Sequence, residues 1–164
     1  MLLDLKKLFD GAQQSLPFSL ELDLCGFEQW GEKPFQGPVA LQGEVTNRAG
    51  IVTLRYQADY KLKASCARCL EPVERVEHKE FSHTVVRKLY QEEDDDYVVV
   101  EDGILNLDQL AQDDILLELP IKMVCGPDCK GLCPQCGCNL NRESCSCKQD
   151  DWTPGSRKAF ADLL

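Results

Sequence analysis

Residues 51–72 read IVTLRYQADYKLKASCARCLEP. Val52, Leu54, Tyr56, Ala58, Tyr60, Leu62 and Ala64 recur at every second position, and Thr53, Arg55, Gln57, Asp59, Lys61 and Lys63 fill the places between them. A period of two belongs to a strand with one face on a core and the other in water. Extended two residues further, the alternation puts Cys66 at the end of the inward face. Pro72 follows the Cys66-Ala67-Arg68-Cys69 pair and separates it from a second strand-like run, Val73 to Leu89, whose apolar phase changes near Val85-Val86. A β-bulge is expected there.

The neighbouring segments extend the same pattern. Val39–Thr46 reads as the strand before it, joined through Asn47-Arg48-Ala49-Gly50, a turn in which Gly can take a positive φ. Leu16, Phe18, Leu20, Leu22 and Leu24 alternate in an earlier strand, and the Gly- and Pro-rich residues 26–38 read as a loop. Trp30, Phe35 and Trp152 fall in loops, as caps on the core or as partner contacts. Residues 4–13 suggest a short helix capped by Asp4 and ended by Gly11. A short apolar strand is expected over Tyr97–Val100. After it Asn106 caps a helix carrying Leu107, Leu110, Ala111, Ile115 and Leu119 on one face; Gln109 is placed to reach back as a capping box, and Pro120 stops the helix. The expected fold is α+β: a mainly antiparallel sheet or partial barrel with one or two short helices over residues 1–120, and a Cys-rich zinc knuckle over 121–164.

Seven of the ten cysteines lie within 125–147, CGPDCKGLCPQCGCNLNRESCSC. This stretch has too few apolar residues to make a core, so another force must fold it. Cys133-Pro134-Gln135-Cys136-Gly137 has the form of a zinc knuckle, two thiolates on a tight turn. The remaining ligands are to be drawn from Cys125, Cys129, Cys145 and Cys147. One structural Zn²⁺ held by four of these six thiolates is expected, with Cys138 a bystander too close to the knuckle to close on the same ion. Cys66 and Cys69 can supply that site, bind a second ion with spare tail thiols, act as a redox pair, or simply pack at a strand end. Arg68 between them is a candidate interaction residue. Four thiolates with no open position argue against catalytic zinc.

Composition narrows the function classes. The formal charge is −10, and residues 91–120 hold eleven acids and no base, whereas 1–90 are balanced. Such a molecule repels nucleic acid as a whole and suits a basic protein partner. RNA contact would fall to Lys122, Lys130, Arg142, Lys148, Arg157 and Lys158 of the tail. No signal-peptide pattern opens the sequence and no apolar run is long enough to span a bilayer, so no membrane role and a reducing, cytoplasmic setting are expected. His78 and His83, five apart on one strand, fall on opposite faces and read as surface residues. No phosphate loop, nucleophile elbow or HExxH occurs, so no enzyme is expected.

Cys66-Ala67-Arg68-Cys69-Leu70-Glu71-Pro72 resembles the central Cys-x-Arg-Cys-Leu-x-Pro motif of the YceD family, named for large ribosomal RNA subunit accumulation. Cys125…Asp128-Cys129-Lys130-Gly131-Leu132-Cys133-Pro134…Cys136-Gly137…Asn139-Leu140-Asn141…Cys145-Ser146-Cys147 looks like the tail of its cysteine-rich branch. The ending Asp151-Trp152-Thr153-Pro154 departs from the Asp-Pro-Arg-Leu pattern of the family. The resemblance implies a bacterial, non-enzymatic ribosome-biogenesis factor supporting accumulation of 23S ribosomal RNA, with a ribosome-assembly protein or basic ribosomal protein as partner. The competing reading is a zinc-ribbon regulator that binds nucleic acid or polymerase, and a thiol redox enzyme stands behind both.

Overall fold

The computed structural model describes residues 1–88 and 97–147. Its centre is an open five-stranded sheet formed by β2 (Ser15–Leu22), β3 (Val39–Arg48), β4 (Ile51–Ser65), β5 (Pro72–Val86) and β6 (Tyr97–Val99), ordered as numbered. A two-stranded sheet pairs β1 (Leu2–Asp4) with β7 (Ile104–Asn106), and two helices, α1 (Lys6–Phe9) and α2 (Leu107–Leu117), complete the elements. The mainly antiparallel α+β reading is correct, and no closed barrel forms among the described residues. One pair departs from it: β6 runs parallel to β5, pairing Val98 with Val85.

The alternation of β4 carries through without a break, and all seven inward residues from Val52 to Ala64 are buried, as is Cys66. The β3–β4 hairpin closes on Ala49 (φ 54°) and Gly50 (φ 86°). Two consecutive left-handed residues make the turn whose twist matches the flanking strands. Asn47 Oδ1 accepts from the Gly50 amide at 3.0 Å while its Nδ2 donates to Leu8 O at 2.6 Å, so this turn also anchors α1.

The expected bulge in β5 is absent. Partners run in one unbroken register from Val52↔Val85 to Ser65↔Pro72. The apolar phase blurs because the inward face of β5 carries Arg75, Glu77, Lys79 and His83 in its middle, not because an extra residue is inserted. Several of these are matched from α2 and the segment after it: Arg75 donates to Val124 O, Lys79 pairs with Glu118, and His83 Nε2 meets Asp114 Oδ2 at 2.7 Å. His83 is thus half-buried against α2, a correction to its reading as a surface residue; His78 is exposed beside Asp59.

The covering layer is α1, α2, the small sheet and the loop over residues 23–38. Asn106 caps α2 by accepting from the Gln109 amide, whereas the Gln109 side chain turns to Asp113 and leaves the capping box half made. Leu107, Ala111 and Ile115 are buried by α2, and Leu3, Leu5, Leu8 and Leu105 join them. Asp4 lies in β1 and Leu5 caps α1, so the N-terminal helix is shorter than expected; Asp4 Oδ1 still accepts from the Lys6 amide. Phe35 is buried against Tyr60 with ring centroids 5.7 Å apart, and Trp30 lies half-buried. Both cap the core; Trp152 lies outside the described residues. No described helix is long and apolar enough to cross a membrane.

Candidate metal centre

The β4–β5 connection is a tight turn. The Leu70 amide donates to Cys66 O at 2.9 Å, closing the loop Cys66-Ala67-Arg68-Cys69, and Leu70 itself is left-handed at φ 60°. The knuckle at Cys133 repeats this geometry: the Gly137 amide donates to Cys133 O at 2.9 Å, and Gly137 has φ 73°. The position after the second cysteine must be left-handed so that both thiols turn the same way. Glycine fills it without strain in one knuckle and leucine fills it in the other.

After α2 the chain passes back across the first knuckle. The Ala67 amide donates to Met123 O (2.8 Å), the Leu132 amide to Arg68 O (3.0 Å), and the Arg68 guanidinium to the carbonyls of Pro127 (3.1 Å) and Cys129 (3.0 Å). Arg68 is therefore a clasp between strand end and tail. Met123 and Cys129 are buried in the main core, so the segment just beyond residue 120 packs on the sheet domain rather than standing apart from it.

These contacts sort the thiols into two groups of four. Cys66, Cys69, Cys125 and Cys129 form one, and Cys133, Cys136, Cys145 and Cys147 form the other, with all sulfurs of a group within 4.8 Å of one another. The six tail cysteines from which four ligands of a single ion were to be drawn divide between the two groups. Cys125 and Cys129 are carried to the strand end by the hydrogen bonds just described, leaving Cys133 and Cys136 to close with Cys145 and Cys147. Cys138 belongs to neither group; its carbonyl accepts from the Cys133 amide. Cys25 is exposed and also belongs to neither.

The spacing decides which chemistry the groups suit. A tetrahedral ion with metal–sulfur bonds of about 2.3 Å places its sulfurs about 3.8 Å apart. Cys66–Cys129 is 3.9 Å, Cys69–Cys125 is 3.7 Å and Cys133–Cys145 is 3.5 Å. A disulfide needs about 2.05 Å, and all the described cysteines are free thiols here. An iron–sulfur cluster would hold its thiolates further apart around its own inorganic core. Each group can therefore hold one metal ion of tetrathiolate preference.

The polypeptide prepares some of these sulfurs as thiolates. Burial raises Cys66, but amides of Arg68, Cys69 and Cys125 point at its sulfur and bring it down to about 6. The amides of Cys136 and Gln135 do the same for Cys133, also to about 6. Asn141 Nδ2 donates to Cys129 Sγ at 3.3 Å while its Oδ1 accepts from the Lys130 amide at 2.7 Å, and Cys129 is lowered in spite of its burial. The cost of crowding falls on two others: Cys125 and Cys147 are pushed up to about 12, chiefly by Cys129 and Cys136 respectively. A divalent cation removes that repulsion.

Asn141 is a residue that sequence reasoning missed in this role; its place between the second knuckle and Cys145 was visible, its bond to a sulfur was not. A second unforeseen cluster lies under α2, where one oxygen of Asp114 accepts from Tyr56 OH and meets His83 Nε2. Of the basic tail residues, Arg142 is paired with Glu71 at 3.0 Å, Lys122 and Lys130 are exposed, and Lys148, Arg157 and Lys158 lie outside the described residues.

Residues 54–164 match the model of a family described as "Large ribosomal RNA subunit accumulation protein YceD", a span that contains both thiol groups. An uncharacterised protein of Mycobacterium tuberculosis is 43% identical over 82 residues, 48% of this chain and 40% of its own length. The chloroplastic large ribosomal RNA subunit accumulation protein YCED homolog 1 of Zea mays is 28% identical over 162 residues, 78% of this chain and 55% of the maize protein. The chain thus spans about half the length, or less, of these relatives. No solved structure gives a significant match.

Proposed function

The chain belongs to the YceD family of large ribosomal RNA subunit accumulation proteins, and from that premise we propose that it is a non-catalytic factor supporting accumulation of 23S ribosomal RNA in a bacterial cytoplasm. Family membership over 54–164 is the observation that carries this reading. Zn²⁺ in both thiol groups is the proposed cofactor, with a structural role. The residues fit it: four soft thiolates at tetrahedral spacing, with no histidine, carboxylate or open position in either set. Cys66, Cys69, Cys125 and Cys129 would fasten the tail to the end of β4, and Cys133, Cys136, Cys145 and Cys147 would fold its distal part.

Loading sharpens the electrostatics. Four thiolates around one divalent ion carry a formal −2, so two filled sites take the molecule from −10 to about −14. A phosphate backbone is repelled more strongly by the loaded protein than by its sequence charge, and this favours a basic protein partner over RNA or DNA. The regulator reading loses support for the same reason. Depletion followed by sedimentation of ribosomal particles tests the function: a fall in mature large subunits relative to small ones is expected, and an unchanged ratio with normal 23S ribosomal RNA would refute it.

A further inference from the structure

Leu117 and Ile121 are 85% and 94% exposed, more than any other large apolar side chain among the described residues. Single exposed leucines are ordinary on protein surfaces. Leu117 ends α2 and completes its outer row Gln109–Asp113–Leu117; Ile121 stands four residues on, in the bend beyond the helix, and half-buried Leu116 and Pro120 are their chain neighbours. The backbone under them is held firmly. The Glu118 amide donates to Asp114 O, Trp30 Nε1 to Ile121 O at 2.9 Å, and the Ala67 amide to Met123 O. Leu119 and Met123, flanking Ile121 on either side, are buried. The apolar pair is thus presented on an ordered backbone, and binding there would cost little ordering entropy.

The chain leading up to it is acidic, and exposed Lys122 follows Ile121. Residues 97–121 contain Glu101, Asp102, Asp108, Asp113, Asp114 and Glu118 and no lysine or arginine. Asp108 is paired with the N-terminus, Glu118 with Lys79, and Asp114 with Tyr56 and His83. Among the described residues no ion pair reaches Glu101, Asp102 or Asp113. A second copy of this chain would bring acids against acids, and a nucleic acid would add its own negative charge.

We infer that Leu117 and Ile121, with Asp113 one turn before Leu117, form a docking surface for a Lys/Arg-rich amphipathic segment of a partner protein. The partner's apolar side chains cover the exposed pair while its cations answer the acids of 97–121. The surface itself is argued from exposure and charge; only the choice of ribosomal and assembly proteins as the source of the segment rests on the proposed function.

The test uses the full-length, zinc-loaded protein and an immobilised set of 20-residue peptides tiled across the large-subunit ribosomal proteins and known assembly factors. Binding peptides are expected to be basic and to carry apolar residues at helical spacing. The double variant Leu117→Glu/Ile121→Glu, with an unchanged melting curve, should bind them at least tenfold more weakly although it is more acidic. Asp113→Lys should weaken binding and flatten its salt dependence. Equal or tighter binding by the double variant would reduce the contact to non-specific charge and overturn the proposal, as would an absence of binding peptides. Capture of a large-subunit ribosomal RNA fragment in their place would overturn it too. A chain ending at Cys147 should bind as the full chain does; a tenfold gain would make the chain's own C-terminal residues the occupant and likewise refute the proposal. None of these readouts uses ribosome profiles, so a failure here is distinguishable from a failure of the proposed function.

Discussion

Replacing Cys129 by Ser should undock the segment 121–132 while leaving the sheet intact. Besides the Cys125 amide on the Cys66 sulfur, which belongs to the metal site, six hydrogen bonds hold this segment to the core: Trp30 to Ile121, Ala67 to Met123, Arg75 to Val124, Arg68 to Pro127 and to Cys129, and Leu132 to Arg68. At about 0.5–1.5 kcal/mol each they contribute roughly 3–9 kcal/mol, and burial of Met123 adds about 2–3 kcal/mol. Ordering twelve residues costs about 12–24 kcal/mol. Contacts alone fall short by roughly 10 kcal/mol, and a tetrathiolate zinc contributes on the order of 10–16 kcal/mol. With zinc the docked state is favoured by a few kcal/mol, which corresponds to roughly 100-fold protection or more. Hydrogen exchange read by mass spectrometry is the assay. In Cys129→Ser the Leu132 amide and its neighbours should exchange on the order of 100-fold faster, with amides inside the β4–β5 ladder unchanged and one metal equivalent lost. Unchanged exchange over 121–132 after loss of that metal would refute the reasoning, because the contacts would then suffice without the ion.

Other expectations follow from the fold around the site. Burial and the neighbouring Asp114 carboxylate hold the Tyr56 phenol far above its ordinary value, and burial with Glu77 and Glu118 raises Tyr60 to about 12. The folded state keeps these protons that the unfolded chain releases above about pH 10, so stability should fall as pH rises beyond that point. Tyr56→Phe should destabilise by about 1.5–3 kcal/mol at pH 7 in urea unfolding and lose most of the alkaline dependence; an unaltered alkaline limb would contradict the assignment to Tyr56. Leu70, left-handed and 64% exposed, should accept glycine with a gain of up to about 1 kcal/mol. Gly137→Ala should lose a comparable amount. A marked loss in Leu70→Gly would mean that its side chain makes a stabilising contact.

Sheet and helix were legible where burial imposes a simple period. The inward row of β4 and the capped face of α2 read through directly, since each element has one continuous apolar face and nothing interrupts it. On β5 the reading slipped, because inward Arg75, Lys79 and His83 find partners on α2 and the tail that no local pattern announces. The thiols that gather were all among the candidates, with Cys66 and Cys69 left open between ligation and simple packing, and their grouping was not legible. Sequence spacing favoured closing the ion within 125–147, where loops are short. Which thiols meet is set instead by the passage of residues 121–132 across the β4–β5 turn, fixed by backbone hydrogen bonds to Ala67 and Arg68. Those bonds join positions more than fifty residues apart, and they carry no signature in either segment.

Metal content of the purified chain, with X-ray absorption at the bound metal, tests the central claim most directly. Two zinc ions per chain are predicted, each with four sulfur neighbours at about 2.3 Å, one lost on Cys66→Ser and the other on Cys133→Ser. A single ion that survives Cys66→Ser, a metal other than zinc, or nitrogen and oxygen in the ligand shell would contradict the account.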